Sequence, residues 1–504
     1  MHFSAYFYQL LRKWLLRLKT DPLLLLITIS ALLFFATDCF YVLLSRPLFT
    51  FFPSGDEPHY LVMSQTILKY HSLDVMQDYK NGDYHQFYPI MLTPHVVRNL
   101  YGHLLPLHNI GGPVLWLLPY ALLGRLGVVF FISLVSILIV VNIYRLLCLM
   151  RCSERTAFMV SLSYALASPI YIYSHLVFVE VLGAFICIYV LRKISQVEVT
   201  SVELWLCSFL IGLLPWIHIR FALLELSLFC LLLYKLYQQH RLRQVAQDVA
   251  LLFPVAVLFV LLEVFSIVIW GTWNPAASQI ANYNSPFEIL PLKSIFLGLF
   301  FDQEHGLLFS SPIFLFLLIG IALSVRKQLL GYNLSMLIIS TPYIILFASF
   351  RNWFGGANPP GRYLLVLLPL YCYYLAYALE RLQNSLARVW FYVSIGYGLL
   401  YNLASMSPPY NGFNAEYGFN VTLQLLAFVH LPVTDYLPSL FACKQSLFPN
   451  CEQREVTLFA IWIAFFSVLA LLMVVQNRKK ETNMSANDLI QQEAKGCNNV
   501  EEIG

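Results

Sequence analysis

The sequence predicts an all-α polytopic membrane protein, and three observations predict it. Apolar runs of about 20 residues, the length a spanning helix needs, recur from Leu23 almost to the C-terminus. Only 12% of the 504 residues are charged and 59% are hydrophobic, against about 25% charged in an ordinary soluble chain. Lys and Arg also gather in alternate connections between the runs, the bias that sets orientation in a bilayer. The net charge of +4 says little beside that distribution.

Twelve spans are expected, at about 22–45, 127–148, 156–174, 177–192, 203–219, 221–237, 248–270, 307–325, 330–350, 363–380, 389–406 and 456–476. Residues 1–20, with Arg12, Lys13, Arg17 and Lys19, form a basic segment expected in the cytoplasm. The run after it is too long for a signal peptide's core and lacks a small-residue cleavage site, so it reads as an uncleaved anchor. With that end inside, the inner connections carry Arg145, Arg151 and Arg155, then Arg192 and Lys193, Lys235 to Arg243, Arg326 and Lys327, and Arg381 and Arg388. Every short loop agrees with the positive-inside rule.

Three long segments then fall outside. The first, 46–126, opens with Ser54-Gly55-Asp56-Glu57-Pro58-His59-Tyr60 and holds six of the twelve histidines. Its apolar run Val114–Leu123 is too short to span and reads as an interfacial or re-entrant helix. The second, 271–306, includes Asp302-Gln303-Glu304-His305-Gly306, either a weak site or a helix cap. The third, 407–455, carries Cys443 and Cys451, the only cysteines well placed for an oxidising compartment, as a disulfide or as two free thiols. The ten cysteines show no metal-ligand spacing and no phosphate-cradling glycine motif occurs. Residues 381–476 are expected as a C-terminal hairpin. The polar tail, 477–504, is expected in the cytoplasm and disordered after Lys480.

Four places carry polar chemistry at a membrane edge. Asp56 and Glu57 follow the first span, where they are either solvated acids or a lipid-facing site. Glu180, with His175 nearby, lies among Leu176, Val177, Phe178, Val179, Val181 and Leu182; an acid in such company faces a cavity or a partner, not lipid. Arg220 is either a site residue or the partner of Glu225. Arg351 and Arg362 bracket the Gly/Pro-rich loop that ends in Gly361-Arg362-Tyr363. A guanidinium offers two parallel donors to a phosphate, although an arginine at this depth also snorkels to lipid head groups.

Together these motifs resemble the GT-C superfamily, and more narrowly the bacterial multi-pass transferases related to protein O-mannosyltransferases and aminoarabinose transferases (glycosyltransferase family 39-like). The resemblance covers the architecture from about 22 to 380. As residue motifs it covers Gly55 to Tyr60, Ser168-Pro169 to Glu180, Gly212 to Arg220, and Gly361 to Tyr363. Family members often have Asp where Glu180 stands and Lys where Arg220 stands.

The resemblance implies a GT-C-like bundle of about 12 helices, with interfacial helices in a large first outer loop. It implies a glycosyltransferase that takes a sugar from a polyprenyl-phosphate-linked donor in the lipid bilayer to an acceptor the sequence does not name. The expected place is the bacterial inner membrane, with the active site on the periplasmic side. Asp56 is then the general base, with Glu57 and Glu180 shaping the pocket. His59, Tyr60, His175, Arg220, Arg351, Arg362 and Tyr363 are expected to bind substrate or donor. No cofactor and no nucleic-acid partner is expected. The first-loop histidines could hold a divalent cation, but they lack a ligand spacing, so no metal is assigned. Two alternatives share these features: a flippase or transporter of lipid-linked oligosaccharide, and a polymerase or ligase of surface polysaccharide.

Overall fold

The computed structural model describes residues 16–40, 53–239, 245–282, 292–325, 329–348, 353–406, 418–440 and 451–498. Arg351 and the question of whether Cys443 and Cys451 pair therefore lie outside the described residues or their side chains. Among the described residues five helices are long and apolar enough to cross a membrane: Pro22–Cys39, Arg125–Leu149, Ala250–Trp270, Leu330–Phe347 and Gln453–Asn477. The chain is thus an integral membrane protein by the length and composition of its helices. Helices Ser201–Ile217 and Pro312–Leu323 are apolar but shorter.

Arg125–Leu149 is the axis of the bundle. Its 25 residues are apolar on all sides, and most of them are buried, as a helix enclosed by other helices requires. Pro22–Cys39, Glu154–Leu166 and Glu180–Ile194 pack around it. Pro22–Cys39 starts sharply, because Asp21 accepts from the N–H of Leu24 at 3.0 Å and Pro22 occupies the first turn.

Several expected spans are broken. The span placed at 156–174 ends as a helix at Leu166, and a single turn, Ile170–Tyr173, follows Pro169. Pro169 has no N–H to donate and keeps Ser168 out of helical backbone. The next helix then begins at Glu180 and runs only to Ile194. The span placed at 307–325 is likewise divided at Ser311-Pro312. The span placed at 363–380 is two 3-10 turns followed by Cys372–Arg381, with Pro369 in the second turn. The tail differs in the opposite sense. The last helix runs from Cys451 to Asn498, because 477–495 contain neither Pro nor Gly and are rich in helix-forming Lys, Glu, Gln and Ala.

The first loop has its own fold. Helix Glu57–Tyr70 is followed by Met76–Asn81, a hairpin of Val96–Arg98 with Leu104–Pro106, and the short helices Gly111–Leu115 and Leu117–Leu123. Those last two occupy the apolar run expected to be too short to cross. The hairpin is tied to the end of the helix at 250–270, where Asn99 Nδ2 donates to the carbonyl of Ile269 at 2.7 Å and the N–H of Leu100 to that of Trp270 at 3.3 Å. Gly111 seats the loop on the last turn of helix Ser201–Ile217. A Cβ there would stand 2.4 Å from the backbone of Trp216, a separation only glycine permits.

Candidate functional site

Asp56 and Glu57 are adjacent in sequence but part company in space. Asp56 sits at the N-terminus of Glu57–Tyr70 and makes no capping bond with its side chain, so its carboxylate is free to point elsewhere. One quarter of that side chain (24%) is exposed. Glu57 is fully buried and turned back: Oε1 accepts from the N–H of Ser54 at 3.0 Å and Oε2 from the N–H of Val177 at 2.7 Å. Both its oxygens are thus engaged in tying the first loop to the turn that precedes Glu180.

Arg362 joins the acids of separate segments. Its Nη2 donates to Asp56 Oδ2 at 2.6 Å, its Nε to Glu180 Oε1 at 2.6 Å, and its Nη1 to the carbonyl of Gly355 at 2.7 Å. The last bond needs the tight turn at Gly355, whose φ of +92° lies in the region glycine adopts without strain. The guanidinium lies 4.5 Å from the centroid of Phe178, a cation–π contact. Tyr173 braces the same loop by donating to the carbonyl of Pro359 at 2.8 Å.

Arg220 completes the constellation by donating through Nη2 to the same Oε1 of Glu180. Its guanidinium rests 4.7 Å from the ring of Tyr363, which stacks in turn on Phe347 at 4.4 Å. Arg220 therefore pairs with Glu180 and not with Glu225. Two acids and two arginines balance one for one, which is what allows Glu180 to be wholly buried.

His175 is not part of this group. It shares a 2.6 Å hydrogen bond with Asp38 of helix Pro22–Cys39 and one of 3.2 Å with Ser174. Phe34 and Tyr171 pack edge-on against its ring. That pair holds the first helix to the broken segment after Leu166, and Asp38 was legible in the sequence as an acid inside an apolar run. Asp302 serves structure: its Oδ1 accepts from the N–H groups of Glu304 and His305 and its Oδ2 from that of Leu440, closing the turn before Gly306, whose helix Leu307–Ser310 has no side-chain cap.

The first-loop histidines gather beside Asp56. His95 precedes the first hairpin strand and His108 follows the second, and the N–H of Leu107 donates to the carbonyl of His95 at 3.0 Å. Asn109, next to His108, accepts from the N–H of Ile219 at 3.2 Å, fastening the loop beside Arg220. His59 stacks on His95 with centroids 3.6 Å apart and shares a 2.7 Å bond with the hydroxyl of Tyr79. Tyr60 is buried, with its ring 4.7 Å from that of His108. Asp56, His95 and His108 each present a ligand atom within 4.8 Å of the others. The spacing of those residues in sequence offered no sign of this grouping, which depends on the hairpin closing.

Electrostatics follow from these neighbours. Burial pushes the Asp56 carboxyl up, but Arg362 and then His108 more than offset it, so the group lies far below the ordinary carboxylate range. Burial raises Glu57 against the pull of Arg125 and its two backbone donors. Burial also brings His108 down to about 4, against the attraction of Asp56, and lowers His95. His59 is lowered by burial and then by His95.

No protein-family model and no curated protein matches the sequence. Among solved structures, the chain is similar to ArnT from Cupriavidus metallidurans bound to undecaprenyl phosphate, at 13% identity and a TM-score of 0.47, over 90% of this chain and 74% of that one. It is similar to apo ArnT from the same organism at 14% identity and a TM-score of 0.47, over 91% and 77%. It is also similar to the apo oligosaccharyltransferase of Archaeoglobus fulgidus at 13% identity and a TM-score of 0.39, over 87% of this chain and 59% of that one. Likeness at this level carries nothing about substrate or mechanism.

Proposed function

We propose that the chain is a membrane glycosyltransferase that moves a sugar from a polyprenyl-phosphate-linked donor to an acceptor hydroxyl on the outer face of the membrane. The observation that supports this reading best is Arg362, one guanidinium held between a partly exposed carboxylate and a buried one. In this reading the acceptor oxygen attacks the anomeric carbon while the bond from that carbon to the phosphate oxygen breaks. Asp56 takes the hydroxyl proton as general base. The departing polyprenyl phosphate, whose charge grows in the transition state, is held by Arg362 and Arg220.

A carboxylate gripped by a guanidinium is a weak base. Arrival of the donor phosphate draws Arg362 away from Asp56, and the carboxylate regains basicity as its partner leaves. Donor binding thus prepares the base, and water meets a less reactive site when no donor is present. Glu180 keeps both arginines in place and Glu57 holds the loop.

The test is mass spectrometry of lipid-linked and protein-linked glycans in cells making the wild-type chain or its Asp56→Asn variant. The expected result is a glycoconjugate present with the wild type and lost in the variant, with its lipid-linked donor accumulating. Identical glycan profiles, with both proteins in the membrane at equal level, would overturn the reading.

A further inference from the structure

We infer that Asp56, His95 and His108 form a binding site for one divalent transition-metal cation of the zinc class. The ligand atoms of the three side chains lie within 4.8 Å of one another. Four ligands at the usual zinc bond lengths of about 2.0–2.1 Å stand about 3.3 Å apart, so small side-chain movements would close them on an ion. Two imidazoles and one carboxylate suit zinc or cobalt better than magnesium or calcium, which prefer oxygen alone.

A second observation points to a ligand. His108 is buried, and its Nε2 has no hydrogen-bond partner among the described residues. That atom faces Asp56 Oδ1 at 3.8 Å, too far for a hydrogen bond. Nδ1 of His95 is likewise buried and unpartnered. Leaving two such nitrogens bare is costly, and an ion beside Asp56 Oδ1 would satisfy both. The other carboxylate oxygen stays with Arg362.

The surroundings are those of a supported site. His59 stacks flat on His95 and is itself held by Tyr79, while Tyr60 packs on His108 and the Asn109–Ile219 bond anchors the strand end. Such neighbours fix the planes of ligating rings. Because the acids and arginines of the constellation already balance, a bound dication would leave a surplus of positive charge that an anionic substrate could neutralise. Binding of the ion is independent of the transferase reading. Only its use, to polarise an acceptor or phosphate oxygen, rests on that reading.

The experiment uses the full chain, purified in detergent and freed of metal with a chelator. Co2+ and Zn2+ are added separately; the readouts are the visible absorption of Co2+ and the Tm with Zn2+. The expected result is one Co2+ per chain, with the intense d–d bands of a low-coordinate nitrogen-containing site, and a rise in Tm with Zn2+. His108→Gln and His95→Gln, folded by gel filtration and by their metal-free Tm, should each weaken Zn2+ binding by more than the roughly 10–100-fold that loss of an outer-shell partner costs. His103→Ala, at an exposed loop histidine, should bind as the wild type does. A wild-type chain with no cobalt bands and no Tm response overturns the site, as do both Gln variants binding with wild-type affinity. Neither result touches the glycan test above. Loss of transfer in Asp56→Asn with no metal bound by the wild type would keep the transferase and remove the metal.

Discussion

Arg362 donates from Nε to Glu180 Oε1 at 2.6 Å across 182 positions of sequence. The same guanidinium reaches Asp56, 306 positions away. Three segments that share no local pattern therefore meet at one planar group, and Glu180 becomes the seat on which both arginines rest. A wet cavity is not needed to explain a carboxylate among so many apolar neighbours, because two cations supply the compensation.

Glu180→Gln should cost both stability and activity. Removing one partner of a buried ion pair destabilises by about 3–5 kcal/mol, and here two guanidinium groups lose their counter-charge. The expected outcome is a clear fall in Tm in detergent together with strong loss of transfer. A Gln variant with wild-type Tm and turnover would show that Glu180 is not what holds Arg220 and Arg362.

Arg362→Lys keeps the charge but gives up the fork that serves Asp56, Glu180 and the Gly355 carbonyl together. Hydrogen bonds to charged groups contribute about 1.5–3 kcal/mol each, so donor KM should rise or kcat fall by roughly 10–100-fold on losing one. Donor titration with the purified variant is the measurement. Unchanged kinetics would reduce Arg362 to a brace for the loop.

For the base, Asp56→Asn should lower turnover by roughly 100- to 10,000-fold, the usual range for loss of general-base catalysis, while the folded protein persists. Single-turnover transfer by the purified variant reads this directly. Retention of turnover within a few-fold would exclude Asp56 as the base.

Glu57 separates from Asp56 in the same assay. Glu57→Ala orphans the buried N–H groups of Ser54 and Val177, at about 1–3 kcal/mol each. Its Tm should fall, and the loss of activity per folded molecule should be smaller than in Asp56→Asn. The reverse order would assign the chemistry to Glu57.

Sidedness has its own measurement. With native thiols removed, Lys193→Cys and Arg151→Cys should resist an impermeant thiol reagent applied from outside, and a cysteine at exposed Met91 of the first loop should react. Strong labelling at position 193 would reverse the orientation and the proposed acceptor side.

The sequence by itself determined that this is a multi-helix membrane protein, that its first loop is large, and that Asp56, Glu180, Arg220 and Arg362 stand at helix ends. Those facts are written in run length, charge placement and punctuation by Gly and Pro, all of them local. The breaks at Pro169, Pro312 and Pro369 were also local signals, but apolar composition masked them, because a run of about 20 apolar residues reads alike whether its helix is whole or broken. Only the tertiary structure decided which acid of the Asp56-Glu57 pair opens to the site, since a one-residue step on a helix turns a side chain by about 100°. It also decided that His175 goes to Asp38 and that His95 and His108 meet across a hairpin. Such partnerships are made by packing between distant segments, where a buried charge or imidazole takes whichever neighbour the fold brings within reach, and no spacing along the chain records that choice.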